Sequence, residues 1–332
     1  MRTQDVMAGF ELYQPSDLKA AFTLLERFGP DAWKLAGGHD SLTWFKSRAR
    51  RPKAVIDLSA IPDLAGVREV DGGIEIGALT TLAAVEASPL VKARFRILAE
   101  AAGVVASPQI RNAGTIGGNG AQRARCWYYR AGLPCWRAGG DGCFAQNRDS
   151  VNREHAIFDR GDCVAVNPSD IAPALVALDA AFVVESARGR RVVDSETFFV
   201  GVDTSVSSFN ALRPGDILVA IRLPATFAGA SSYFEKVADR RSWDFPLVNV
   251  AGAFRMANGA IEEARVVCGA VSAVPRRFPA VEALLKGRVP DASLAGEAGQ
   301  RAVDGAKPLS GNGYKVPLVA NLVARAVRDA RR

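Results

Sequence analysis

No apolar run in the 332 residues approaches the roughly 18 needed to cross a bilayer. The opening stretch, MRTQDVMAGFELYQPSD, lacks the basic-then-apolar order of a secretory signal. A cytoplasmic location is therefore expected, with the periplasm open if a signal-bearing partner carries the chain out. Histidine is scarce, at 2 residues, and no nucleophile–base pairing is visible, so a hydrolytic site is not indicated. The GxGxxG of a Rossmann site and the GKS or GKT ending of a nucleoside-triphosphate loop are missing. There is no internal repeat and no low-complexity tract.

What is present has the composition of a soluble globular protein, hydrophobic 48% and charged 23%, long enough for two or three domains. The formal charge of +7 is concentrated at Lys46 to Lys53 and Arg325 to Arg332. Neither stretch interleaves aromatics with its basic residues, which argues against nucleic acid and for a phosphate-bearing cofactor or an acidic partner surface.

Ser16-Asp17 predicts the cap of a helix with the apolar stripe Leu18, Phe22, Leu25, ending before Gly29-Pro30. Strands are expected at Trp33–Ala36 and Ala54–Leu58, and a hairpin at Val67–Ala78 turning on Asp71-Gly72-Gly73. Helical pattern runs from about Leu82 to Ala101. Further strands are expected at Ala181–Val193, turning at Arg188-Gly189, and at Leu218–Leu223. Val248–Met256 and Ile261–Val271 alternate about Asn258-Gly259; Phe278–Leu285 and Pro317–Arg331 read as helices.

Two glycine-rich segments carry candidate chemistry. Leu35-Ala36-Gly37-Gly38-His39-Asp40-Ser41-Leu42 follows a strand, and paired glycines let main-chain amides approach an anion without Cβ obstruction. Gln109 to Asn119 (QIRNAGTIGGN) offers hydroxyl, amide and bare backbone donors with Arg111 close by, an inventory suited to a diphosphate and its ribose.

Four of the five cysteines, Cys126, Cys135, Cys143 and Cys163, fall within 38 residues of a Gly- and Pro-containing stretch. In a chain without an export signal, such clustering points to metal or redox chemistry and not to disulfides. Four thiolates suit an iron–sulfur cluster or a structural zinc, although the C-x₂₋₄-C knuckles of zinc sites are missing. Arg123, Arg125, Arg130, Arg137 and Arg148 would offset cluster charge, and Trp127, Tyr128, Tyr129 and Trp136 would shield it. His155 is expected to pack or hydrogen-bond and not to ligate; Cys268, on an alternating strand, reads as an inert core residue.

AGGHDSL and RNAGTIGGN resemble the paired signatures of the flavoprotein subunits of the xanthine dehydrogenase family, which includes carbon monoxide dehydrogenase medium subunits. The similarity continues through Pro168-Ser169-Asp170, ALVALDA at 174–180, Gly215-Asp216-Ile217-Leu218, Lys236 with Arg240-Arg241, and CGAVSAVPRR at 268–277. It implies an α+β fold: a two-lobed FAD-binding domain of the vanillyl-alcohol-oxidase type plus a C-terminal α/β domain. The units expected are lobe 1 at 1–60, lobe 2 at 61–224 with an insertion at about 123–165, and the C-terminal domain at 225–332.

The same resemblance implies that residues 35 to 42, with Thr115, Gly118 and Asn119, wrap the FAD diphosphate. Asp170 would bond the sugar-alcohol chain, and Leu218 and Lys236 would touch the isoalloxazine. His39 stands where the family usually has threonine, so its backbone is the part carried over. The cysteine insertion resembles a subset that includes the flavoproteins of a periplasmic aldehyde oxidoreductase and of 4-hydroxybenzoyl-coenzyme A reductase, in which it holds a [4Fe-4S] cluster. That implies ligation by Cys126, Cys135, Cys143 and Cys163. The implied function is electron transfer beside a large molybdopterin-binding subunit and a small subunit with two [2Fe-2S] clusters, ending at an external acceptor. Current in the reverse direction, as in a dearomatising acyl-coenzyme A reductase, and a zinc-stapled nucleotide-binding module are the alternatives.

Overall fold

The computed structural model describes residues 7–331; the first six residues of the opening stretch and Arg332 of the basic tail lie outside the described residues. Three sheets carry the architecture. Strands β1 (Glu11–Tyr13), β2 (Ala32–Leu35) and β3 (Ala54–Asp57) form a small parallel sheet in the order β1-β3-β2. The helix Leu18–Phe28 makes the crossover between β1 and β2. The Asp17 carboxylate accepts from the Ala20 amide at 2.8 Å, satisfying a donor that the first turn leaves unpaired. Ala21 and Leu25 of that helix bury with Ile56, and the same cluster reaches Val183 and Ile217 of the next sheet.

That second sheet is antiparallel: β4 (Val67–Val70), β5 (Gly73–Gly77), β6 (Ala181–Ser186), β7 (Gly189–Asp194) and β8 (Ile217–Pro224), in the order β4-β5-β8-β6-β7. Between β5 and β6 the expected helical stretch is three helices, Leu82–Ala87, Pro89–Arg94 and Arg96–Gly103. Pro89 has no N–H to continue the first of them, and Ser88 caps the next by accepting from the Val91 amide.

The third sheet, β9 (Ser231–Val237), β10 (Val248–Ala257), β11 (Ala260–Gly269) and β12 (Arg276–Arg277), runs antiparallel in the order β12-β11-β10-β9. Asn258 (φ 51°) and Gly259 (φ 79°) supply the two positive dihedrals of a tight hairpin turn between β10 and β11. Strand β10 is buried on both faces. Ala251 and Ala253 join the core of the second sheet with Leu175 and Phe182. Val250 and Phe254 pack with Val319, Leu322 and Val323 of the helix Lys315–Arg328. That helix starts two residues before the expected Pro317. A neighbouring helix, Ala292–Ala302, was not foreseen.

Residues 123–165 form an irregular excursion with only short helical turns at Trp127–Arg130, Trp136–Ala138 and Phe144–Gln146. Side chains anchor it on two sides. Toward the C-terminal unit, Asn152 bonds Ser310 and the Gly311 amide, and Asn312 donates to the His155 carbonyl at 3.0 Å. Lys315, fully buried, donates to the carbonyls of Glu154 and Ala270. Toward the glycine-rich segment, Arg125 and Arg130 both reach Asp40.

Candidate functional site: a dinucleotide-sized cleft beside a four-cysteine cavity

A cleft of about 1030 Å³ opens where the parallel sheet, the second sheet and the loop between β9 and β10 meet. That volume lies at the top of the range for small-molecule sites. Its walls include all of residues 35 to 42, Thr115, Gly118, Asn119, Asp170 and Leu218, segments far apart in sequence.

The glycines have a packing reason as well as a binding one. Gly38 (φ 80°) begins the helix His39–Lys46 in a left-handed conformation that other residues rarely adopt. A Cβ on Gly37 would be driven into the Ala113 carbonyl and would lie 2.9 Å from Gly114 Cα, so the two glycine segments touch through bare backbone. The amides of Gly37 and Gly38 have no acceptor among the described residues. The second segment is not an open loop but two short helices, Pro108–Ala113 and Ile116–Gly120, with Thr115 Oγ1 accepting from the Gly118 amide at 3.1 Å as the cap between them.

Several side chains are already engaged. Asp40 accepts from Arg130 at 2.7 Å and from Arg125 at 3.0 Å, so it anchors the excursion to the cleft wall. Ser41 Oγ accepts from the Trp33 indole, and Asn119 Oδ1 from Ser169. Arg111, expected beside the ligand, is instead turned away to Glu86 and the Val105 carbonyl.

Asp170 is the polar focus of the cleft. It is 3% exposed and its Oδ2 accepts from Lys236 Nζ at 2.9 Å, while its Oδ1 is buried without a partner. Burial pushes its carboxyl up to about 6 against the lowering pull of Lys236. Lys236 does not line the cleft; it sits behind Asp170 and also donates to the carbonyls of Val104 and Asp244. An unsatisfied buried carboxylate oxygen facing a large cleft is the feature that a ligand hydroxyl would complete. Together with the bare glycine amides it fits the sugar-alcohol and diphosphate parts of FAD.

Sequence reasoning missed the far rim. Ser207 to Asn210 and Trp243 to Phe245 line the cleft without forming any motif. Trp243 adopts φ 59°, uncommon for a bulky residue, held by its amide on the Ala106 carbonyl and by Arg240 on its own carbonyl.

The four clustered cysteines line one small cavity together with Tyr128, Tyr129, Arg137 and Phe144. Arg137 Nε donates to Cys163 Sγ at 3.0 Å, the Ala165 amide approaches the same sulfur, and His155 Nε2 lies 3.3 Å from Cys126 Sγ. Burial raises the Cys126 thiol to about 11, opposed by the amides of Tyr129 and Tyr128. Burial, with Lys315 nearby, lowers His155 to about 4, so the ring is neutral at physiological pH. Among the described residues no three His, Cys, Asp or Glu side chains are drawn together as around a single ion. Cys268 lies in the core beneath the C-terminal helices, its thiol raised by burial.

Two expectations for this cavity are corrected. Trp127 is 57% exposed and does not line the cavity, whereas Trp136, itself 36% exposed, lines it together with Tyr129 and the stacked pair Tyr128–Phe144. Of the arginines, Arg137 reaches a cysteine, whereas Arg125 and Arg130 are spent on Asp40 and Arg123 lies over the rings of Trp33 and Phe209.

Comparison with known proteins agrees with the geometry. Residues 8–226 match the family described as the FAD binding domain in molybdopterin dehydrogenase, and residues 233–330 match the CO dehydrogenase flavoprotein C-terminal domain. The chain is 30% identical over 330 residues to the carbon monoxide dehydrogenase medium chain of Hydrogenophaga pseudoflava, covering 97% of this chain and 96% of that one. It is 31% identical over 328 residues to the aldehyde oxidoreductase FAD-binding subunit of Escherichia coli, covering 96% and 98%. A solved carbon monoxide dehydrogenase structure from Hydrogenophaga pseudoflava superposes with a TM-score of 0.78 at 29% identity, covering 98% of both chains. The chain therefore belongs to the FAD-binding medium-subunit family of the molybdenum hydroxylases, and is an oxidoreductase subunit with the α+β architecture of that family.

Proposed function

We propose that this chain is the FAD- and [4Fe-4S]-carrying electron-transfer subunit of a heterotrimeric molybdopterin-dependent oxidoreductase. Its partners are a large molybdopterin-binding subunit and a small subunit with two [2Fe-2S] clusters. The observation that carries the reading is the placement of four thiols around one cavity whose wall continues into the glycine-lined cleft. FAD supplies a carrier that accepts single electrons and releases a pair, and the cluster supplies a one-electron store.

The chain's own residues bind and insulate. Within the segment Leu35 to Leu42, the free amides of Gly37 and Gly38 are the backbone donors to the diphosphate; Thr115, Gly118 and Asn119 wall it on the other side, Asp170 Oδ1 accepts a sugar-alcohol hydroxyl, and Leu218 lines the ring end of the cleft. Lys236 holds Asp170 in place from behind. Cys126, Cys135, Cys143 and Cys163 hold the cluster; Tyr128, Tyr129 and Phe144 keep water from it, which helps set its potential. These roles map onto a division into residues 1–60, 61–224 with the insertion at about 123–165, and 225–332.

Relatives named for carbon monoxide, aldehydes and nicotine share the fold-bearing sequence. An aldehyde or aromatic N-heterocycle is the proposed substrate class, oxidised on the large subunit and not on this chain. Anaerobic addition of an aldehyde or a quinoline-type heterocycle to the assembled complex is expected to bleach the flavin absorbance, while the isolated chain stays oxidised. Bleaching of the isolated chain by the same compounds would place substrate oxidation here and overturn the assignment.

A further inference from the structure

Arg137 occupies a position that neither cavity alone explains. It is 6% exposed, its Nε donates to Cys163 Sγ at 3.0 Å, and its NH1 donates to the Ser208 carbonyl at 2.9 Å. Its guanidinium lies 4.4 Å from the Phe209 ring centroid. Ser208 and Phe209 are walls of the glycine-lined cleft, and Arg137 itself borders both that cleft and the cysteine cavity, a property it shares with Tyr129. A guanidinium this deeply buried is ordinarily matched to a carboxylate, because an isolated buried charge is costly. Among the described residues no carboxylate lies within ion-pair distance of Arg137, so none of their carboxylates compensates its charge. Its two faces open onto two places where anions belong: a cysteine sulfur on one side and a dinucleotide cleft on the other.

We propose that Arg137 is a positioning residue shared by two prosthetic groups, a single counter-ion that couples the charge state of the cluster to occupancy of the flavin cleft. The inference rests on the cluster-and-flavin reading above. Adding one electron to the cluster increases negative charge on the thiolate side, and the guanidinium stabilises that form. A bound dinucleotide draws on the same positive charge, so its departure leaves more of it for the reduced cluster. Coupling of this kind is reciprocal: cluster reduction weakens flavin binding by the same factor by which flavin binding disfavours reduction.

The test is a potentiometric titration of the full-length protein, purified anaerobically, with dithionite supplying the single electron and electron paramagnetic resonance reading the reduced cluster. In the native protein, stripping FAD is expected to raise the cluster midpoint. Arg137→Gln is expected to lower the midpoint of the FAD-bound form by at least a tenfold change in the reduction equilibrium, about 59 mV for one electron. It also shrinks the response to FAD removal. Arg137→Lys, which keeps the charge, is expected to retain most of that response.

An unchanged midpoint on stripping FAD from the native protein, or equal behaviour of the Gln and Lys variants, would overturn the proposal. If Arg137→Gln fails to hold its cluster, the native titration with and without FAD decides alone. Iron and acid-labile sulfide measured on the same samples separate this failure from that of the underlying reading, since their absence condemns the cluster itself.

Discussion

Acidification from about pH 8 to about pH 5 is expected to weaken FAD binding, with Asp170 as the cause. Its Oδ1 is buried and unpartnered, and burial lifts its carboxyl to about 6, opposed by Lys236 and reinforced by Asp244. A hydroxyl donated to Oδ1 favours the ionised form, so the carboxyl titrates lower in the complex than in the free cleft. The sign follows from that difference. Above about pH 6 the free site is already ionised and binds at full strength. Below it, a proton must leave first, and affinity falls by up to about tenfold per pH unit until the carboxyl of the complex also titrates.

Folding stability of the FAD-free protein carries the opposite sign. A carboxyl raised from 3.8 to about 6 is a cost present above the higher value, and it fades as the pH falls through that window. The assay is fluorescence titration of FAD into stripped protein across this range, with Asp170→Asn alongside. The variant replaces a charged acceptor, worth about 1.5–3 kcal/mol, so FAD should bind about 10- to 100-fold more weakly at pH 8. Its pH profile should lie flatter than that of the native protein. Identical profiles for the two proteins, or unaltered affinity in the variant, would refute the reasoning.

Other substitutions probe separate parts of the site. Gly118→Val sets a branched side chain at the cleft edge, its Cβ already 2.9 Å from the capping Thr115 Oγ1, and should weaken FAD at least about tenfold; full retention of flavin would remove that helix start from the site. Gly37→Ala forces the Ala113 backbone aside and should cost about 1–3 kcal/mol in urea denaturation, so an unshifted midpoint would mean that the two glycine segments are not in contact. Cys135→Ser should abolish the cluster's visible absorbance while most FAD stays bound, and an unchanged iron content would contradict ligation there. Asp40→Asn leaves Arg125 and Arg130 without their carboxylate; a loss of about 1–2 kcal/mol, between that of exposed and buried pairs, is expected on unfolding, and no loss would show that the anchor is decorative.

Elements with a strong local code were legible in the sequence. Asn258-Gly259 between alternating strands specified its hairpin, and Asp17 ahead of Leu18, Phe22 and Leu25 specified its helix. The helix Ala292–Ala302 was not read because its buried stripe, Leu294, Ala295, Ala298 and Ala302, is mostly alanine and stands out weakly; the small residues serve close packing, with Gly299 directly beneath the Ala320 carbonyl. The glycine segments and the cysteine grouping were evident from residue type alone. Where their side chains point was not. Asp40 turned to two arginines of the excursion, Arg111 to Glu86, and Trp127 to solvent, since those choices depend on neighbours that only the tertiary fold supplies. Ser207 to Asn210 and Trp243 to Phe245 reach the cleft from separate loops, and no local spacing announces them.

Quantifying FAD, iron, zinc and acid-labile sulfide in the anaerobically purified chain reaches the heart of the matter. One FAD with about four iron and about four sulfide per chain is the expected result, because the bare-backbone cleft and the four-thiol cavity then each hold the group they fit. One zinc without sulfide, or a protein that takes up no flavin, would contradict it.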